Sequence, residues 1–171
     1  MKLGSETREA LIQLLSSFSA RAPTGKAEPI PRSIVWRITR QCNLRCLHCS
    51  ASSSAGGPAS ELDGEKKLDL VEQIAETGFQ KVVISGGEPL LDEDFWRIIS
   101  HARSRGLKIK LNSNGWLIDR DVAQRLKDEG VSSVQIALHG VHAELHDMVT
   151  GLRGSFTRAA RALRLCASAG I

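Results

Sequence analysis

Ile34-Val35-Trp36-Arg37-Ile38-Thr39 runs directly into Arg40-Gln41-Cys42-Asn43-Leu44-Arg45-Cys46-Leu47-His48-Cys49. The first six residues are mostly β-branched and aromatic, side chains that suit a pleated, half-buried surface, and they predict a strand over 34–39. The ten that follow hold three of the chain's four cysteines, spaced C-x3-C-x2-C. An apolar run that ends in a chemistry-bearing loop sets the pattern for the rest of the chain.

Downstream, the β-branched runs at 34–39, 81–85, 108–112 and 133–138 alternate with amphipathic stretches at 65–77, 94–105, 119–129 and 156–169. Four βα units in series predict an α/β fold with a parallel sheet. Right-handed crossovers make such a sheet either doubly wound or a barrel, and both bind ligands at the carboxyl ends of the strands. There the sequence places the cysteine loop, then Ser85-Gly86-Gly87-Glu88-Pro89, then Asn112-Ser113-Asn114-Gly115, then His139-Gly140. Gly-Gly and Asn-Gly are ordinary turn formers singly; their shared position on one rim gives them weight. Upstream, Leu11, Ile12, Leu15 and Phe18 share a helical face, and residues 21–31 carry three prolines and Gly25. The expected organisation is a short helix and linker over 1–30, then a core domain over 31–171.

Three thiolates in one loop suit a [4Fe-4S] cluster with an open iron, because a cluster held by cysteine at every corner only passes electrons. Zinc, a disulfide pair and coincidence are the alternatives. Zinc loops usually present two separated ligand pairs, whereas here His48 lies between Cys46 and Cys49, and Cys166 is far along the chain. Crowded thiols fit a reducing, intracellular compartment better than a secreted scaffold. The 171 residues are 42% hydrophobic and 25% charged, ordinary values for a soluble domain. A net charge of +4 is scattered without blocks of like sign and aromatics are few, so nucleic-acid binding is not expected. No apolar run approaches the roughly 20 residues that span a bilayer, and Glu6 and Glu9 stand where a targeting peptide avoids acids. A cytoplasmic protein is the expectation.

Cys42-x3-Cys46-x2-Cys49, Gly86-Gly87-Glu88-Pro89 and Ser113-Asn114-Gly115, with His48 before the third cysteine, resemble the radical S-adenosylmethionine (radical SAM) superfamily from about residue 31 onward. The resemblance implies a partial (β/α) TIM-like barrel. It also implies a [4Fe-4S] cluster on Cys42, Cys46 and Cys49, with the amino and carboxylate groups of S-adenosylmethionine on the remaining iron. A reduced cluster would then yield a 5′-deoxyadenosyl radical that abstracts hydrogen from substrate. Gly86 and Gly87 would let bare backbone approach the cofactor, Glu88 would accept from its ammonium, and Ser113 and Asn114 would meet its ribose or carboxylate. Many relatives have Ser and Leu-Asp-Gly where this chain has Ala137 and Leu138-His139-Gly140, so Gln135, on the same strand face as Ala137, is the residue expected to reach inward instead. A flavodoxin or ferredoxin type protein would donate the electron.

The segment Asp147-x2-Thr150-Gly151-x2-Gly154-Ser155-Phe156 is similar to the branch holding peptide-maturing (SPASM-type) and haem-modifying enzymes, which implies a ribosomal peptide or tetrapyrrole substrate, or another small molecule. Read locally, Ser155 is expected to cap the last helix, His142 and His146 to mark an exposed helix start, and Cys166 to be a buried apolar thiol. About four of the family's usual six βα units are expected, leaving an unpaired strand edge and an incomplete ligand wall. The competing reading is a noncatalytic iron–sulfur or zinc domain that keeps the cysteine loop.

Overall fold

In the computed structural model, residues 33–51, 53 and 61–171 are described; the helix and linker expected over 1–30 lie outside them. Strands β1 (Ser33–Thr39), β2 (Lys81–Gly86), β3 (Lys108–Ser113) and β4 (Val131–Ile136) lie in that order, each pair parallel. Parallel neighbours need long connections. These are supplied by helices α1 (Gly64–Glu76), α2 (Phe95–Ser104) and α3 (Arg120–Asp128), while α4 (Ala143–Thr150) and α5 (Ser155–Ala169) follow β4. The four βα units are those expected, and the fold is that of a partial (β/α) barrel.

One face of the sheet carries the core. Ile38, Val82, Ile84, Ile109, Leu111 and Ile136 point from the strands into a buried cluster completed by Val71, Phe95, Ile98, Leu126 and Ala159 of the helices. Each of these side chains larger than alanine contributes roughly 1.5–3 kcal/mol of burial. Cys166 is part of this cluster, as expected of an apolar thiol. The alternate strand positions face the other way, where none of the described helices covers them: Arg37 pairs in register with Ser85, Val83 with Lys110, and Asn112 with Gln135.

β4 starts two residues before the expected 133 because a bulge conceals its alternation. Ile109 pairs with Val131 but Lys110 with Ser133, leaving Ser132 unpaired, and its hydroxyl donates to the Ile109 carbonyl at 2.7 Å. The extra residue shifts parity, so Val131 and Ile136 both reach the buried side.

Acids hold the starts of α1, α3 and α5. Asp63 accepts from the Lys66 amide at 2.9 Å and Asp119 from the Val122 amide at 2.8 Å. For α5 the acid is borrowed from another helix. Gly154, at φ +87°, occupies the cap position, and the Asp147 carboxylate of α4 accepts from the Gly154 and Phe156 amides at 2.6 and 2.9 Å. These bonds, that from Phe156 foremost, hold the Asp147 carboxyl below the usual carboxylate range. Ser155 does not cap; its hydroxyl donates to Asp147 at 2.9 Å. On the far side of the sheet, Lys67 of α1 reaches Asp92 at 2.6 Å, both side chains being nearly inaccessible. No helix among the described residues is long and apolar enough to cross a membrane.

Candidate active site

At the carboxyl ends of the strands lies a cleft of about 510 Å³, and Cys42, Cys46 and Cys49 all line it. The loop that carries them is strapped at both ends. On one side the Gly87 amide donates to the Thr39 carbonyl and the Glu88 amide to that of Gln41, each at 2.8 Å. On the other, the Arg45 and Leu47 amides donate to the carbonyls of Thr150 and Val149 at 3.0 and 2.9 Å, at the end of α4. The loop, which belongs to the first βα unit, is thus held by the second and the last.

The sulfurs sit among donors. The Leu44 amide points at Cys42 Sγ (3.4 Å), the Asn114 side-chain amide at the same sulfur (3.8 Å), and the Ser53 amide at Cys49 Sγ (3.5 Å). Such contacts favour thiolate held by metal, while burial pushes the Cys42 and Cys46 thiols up, so loading must displace protons. Among the described residues no three Cys, His, Asp or Glu side chains stand close enough to share one metal ion. A four-iron cube spreads its ligands more widely than a single zinc ion does. A buried Asn43 Nδ2, without a hydrogen-bond partner among the described residues, adds an unfilled donor within this loop. The residues present therefore fit a [4Fe-4S] cluster.

Gly86 and Gly87 line the cleft, but what excludes a side chain from them is the protein itself. A Cβ on Gly86 would stand 2.5 Å from the Thr39 carbonyl oxygen, and one on Gly87 2.3 Å from that of Gln41. Glu88 lies behind the cleft wall. Its carboxylate is fully buried and accepts from the Ser113 hydroxyl (2.9 Å), the Asn114 amide (2.8 Å) and the Leu90 amide (3.3 Å). Its observed partners thus join the loops after β2 and β3. Ser113 also accepts from the Gly115 amide, and Asn114 accepts from the Trp116 amide and donates to Asn43 Oδ1 at 2.9 Å. Both line the cleft with their polar atoms already engaged. Gln135 lines it too, exposed, beside its register partner Asn112.

Burial pushes the Glu88 carboxyl from its ordinary 4.5 to about 7, against the three hydrogen bonds that favour the charge. The folded protein therefore holds a proton that the unfolded chain has released. Glu88's contribution is complete below pH 4.5 and is lost as the pH rises through about 7. The whole span corresponds to about 3 kcal/mol. Denaturant titrations at pH 5 and pH 8 should show wild type losing most of that relative to Glu88→Gln. A difference between the two proteins that does not change with pH would refute the shift.

Asn112, Ser85, Arg37 and His146 also line the cleft; Asn112 and Ser85 stand in the rim segments read from sequence, but none of the four has a cofactor role assigned there. For the first three, strand parity was the available signal, since each shares a face with a residue already suspected. His142 is exposed at the start of α4 as expected, but His146 is buried. The His48 and His139 rings meet edge to face at 4.5 Å, His139 stacks on His146 at 5.5 Å, and the His139 amide donates to His146 Nδ1. Burial lowers the pKa of His139 and His146.

The sequence pattern of the radical SAM superfamily matches residues 36–171. The chain is 37% identical over 138 residues to Fe-coproporphyrin III synthase of Methanosarcina barkeri, covering 81% of this chain and 34% of that protein. It is 38% identical over 140 residues to the mycofactocin maturase MftC of Mycobacterium ulcerans, covering 82% and 37%. Among solved structures, Streptococcus suis SuiB bound to S-adenosylmethionine is similar in fold with a TM-score of 0.70 at 17% identity, covering 99% of this chain and 39% of that one. Native anSMEcpe with bound AdoMet gives 0.66 at 22%, covering 81% and 41%. The chain spans about a third of the length of the curated relatives it matches.

Proposed function

The chain belongs to the radical SAM superfamily, whose enzymes use a [4Fe-4S] cluster and S-adenosylmethionine, and from that premise we propose that it is the cofactor-binding part of such an enzyme. The observation that carries this reading is one cleft lined by all three loop cysteines and by both glycines after β2. When bound, the cluster and S-adenosylmethionine together supply a one-electron cleavage of the sulfonium to a 5′-deoxyadenosyl radical.

The chain's own residues hold and aim. Cys42, Cys46 and Cys49 would bind three irons, and the Leu44, Ser53 and Asn114 donors would temper the charge on the sulfurs. Gly86 and Gly87 would present backbone to the cofactor, and Gln135 would reach it from β4. Glu88 would act by position, holding Ser113 and Asn114 at the cleft wall through the bonds described above. Fixing these groups before the reaction is what allows one C–H bond to be chosen.

The substrate is proposed to be a ribosomal peptide or a tetrapyrrole. Relatives named for haem synthesis and mycofactocin maturation, and SuiB solved with its precursor peptide SuiA, support that range. The electron would come from a flavodoxin or ferredoxin type donor in the cytoplasm. The test is an EPR spectrum of anaerobically reconstituted, dithionite-reduced protein with and without S-adenosylmethionine, beside Cys46→Ala. A [4Fe-4S]⁺ signal that shifts with the cofactor and is lost in the variant is expected. Zinc in place of a cluster would overturn the enzyme reading in favour of a noncatalytic metal domain.

A further inference from the structure

The four strands contain four cations, Arg37, Lys81, Lys108 and Lys110, and no Asp or Glu. All four alternate with the core-facing positions, so they share the sheet face that none of the described helices covers. Lys81 and Lys108 are direct register partners, an arrangement that like charges disfavour. The contrast with the opposite side of the molecule is sharp. There Lys66, Lys67, Arg97, His101 and Arg105 each meet a carboxylate. Among the described residues, none of the four inner cations forms an ion pair.

Arg37 lines the cysteine cleft, its guanidinium 3.4 Å from the Ser50 hydroxyl. Lys110 stands two strands away and one pleat deeper, since Val35 pairs with Val83 and Val83 with Lys110. Two strand spacings are about 10 Å and two residues along a strand about 6.6 Å, so the two positions stand about 12 Å apart, a span that separated carboxylates on one ligand can bridge. Cations crowded on one face repel one another, and an anion held among them relieves that repulsion.

Resting on the proposed reaction for its chemistry but not for its charge argument, we infer that Arg37 and Lys110 select substrates bearing two or more carboxylates. They hold these against the inner face of the sheet beneath the cysteine loop. The carboxylates could belong to acidic side chains of a peptide or to the periphery of a tetrapyrrole, and the two sources are separable.

The reconstituted full chain would be titrated with a porphyrin tetracarboxylate and its tetra-ester, and with a glutamate-rich peptide and its glutamine counterpart. At least one acid probe should bind tenfold or more tightly than its neutral partner, and its affinity should fall steeply with added salt. Whichever acid probe does so names the scaffold. Arg37→Met with Lys110→Met should abolish the preference, with unfolding midpoints confirming that the variant is folded. Equal binding of acid and neutral probes, or an acid preference that survives the double variant, would overturn the inference. If the variant does not fold, the salt dependence of wild type decides alone, and a salt-independent preference is a refutation. A cluster that ignores S-adenosylmethionine in the EPR experiment would instead defeat the proposed function, leaving these titrations still readable.

Discussion

Gly87→Ala should yield a folded protein that incorporates little cluster. The new Cβ would lie 2.3 Å from the Gln41 carbonyl oxygen and 2.9 Å from that of Arg40, both backbone atoms of the cysteine loop. Nothing flexible is available to yield, so either the loop moves or β2 does. β2 is held in the middle of the sheet between β1 and β3, which leaves the loop to give way. Overpacking of this kind costs about 1–3 kcal/mol, equivalent to about 5- to 150-fold in the population of a binding-competent loop. Iron and sulfide content per chain after anaerobic reconstitution reads the effect directly, with the unfolding midpoint as the control. Wild-type iron content in the alanine variant would show that these glycines answer to the cofactor and not to the loop.

Lys67→Met should produce the largest loss of stability without touching the cleft. Lys67 is 5% exposed and its ammonium meets Asp92 at 2.6 Å and Asp94 at 3.8 Å. Asp92 also accepts from the Asp94 amide at 3.0 Å, at the turn that leads into α2. Removing the cation leaves two acids with little access to water, and breaking a buried pair in this way costs about 3–5 kcal/mol. That is a large part of the roughly 5–15 kcal/mol that holds a domain folded. Urea titration gives the measurement, and adding Asp92→Asn to Lys67→Met should recover much of the loss. A midpoint unchanged by Lys67→Met would mean that the pair is no more than a surface contact.

The parts of the molecule legible in the sequence are those governed by local pattern. β-branched runs followed by 3.6-period stretches located four strands and their helices, because burial on one face imposes its period on the chain. The addresses of the cysteines, Gly86, Gly87, Ser113 and Asn114 followed from strand order alone. What escaped depends on contacts across long sequence distances. Glu88 looks like a polar residue in a turn, and only the meeting of β2 and β3 buries it beneath Ser113 and Asn114. The cap of α5 comes from Asp147, eight residues before the serine that local reading preferred. β4 was misplaced at its start because the bulge at Ser132 breaks the alternation that reveals strands. The eight-residue α4 had no long apolar stripe to announce it.

The inner face of the sheet, turned away from the described helices, bears on how this protein could change over generations. Side chains that hold the fold together are turned toward the helices, while Val35, Arg37 and Lys110 look away from them with much of their surface uncommitted. Substitutions at uncommitted positions usually shift stability by no more than about 0.5 kcal/mol. Mutation could therefore explore new ligands at these positions while the cysteine loop and its straps stay intact. A library randomised there alone should retain mostly folded, cluster-loading members, so that a lineage could exchange one substrate for another without passing through a collapsed ancestor.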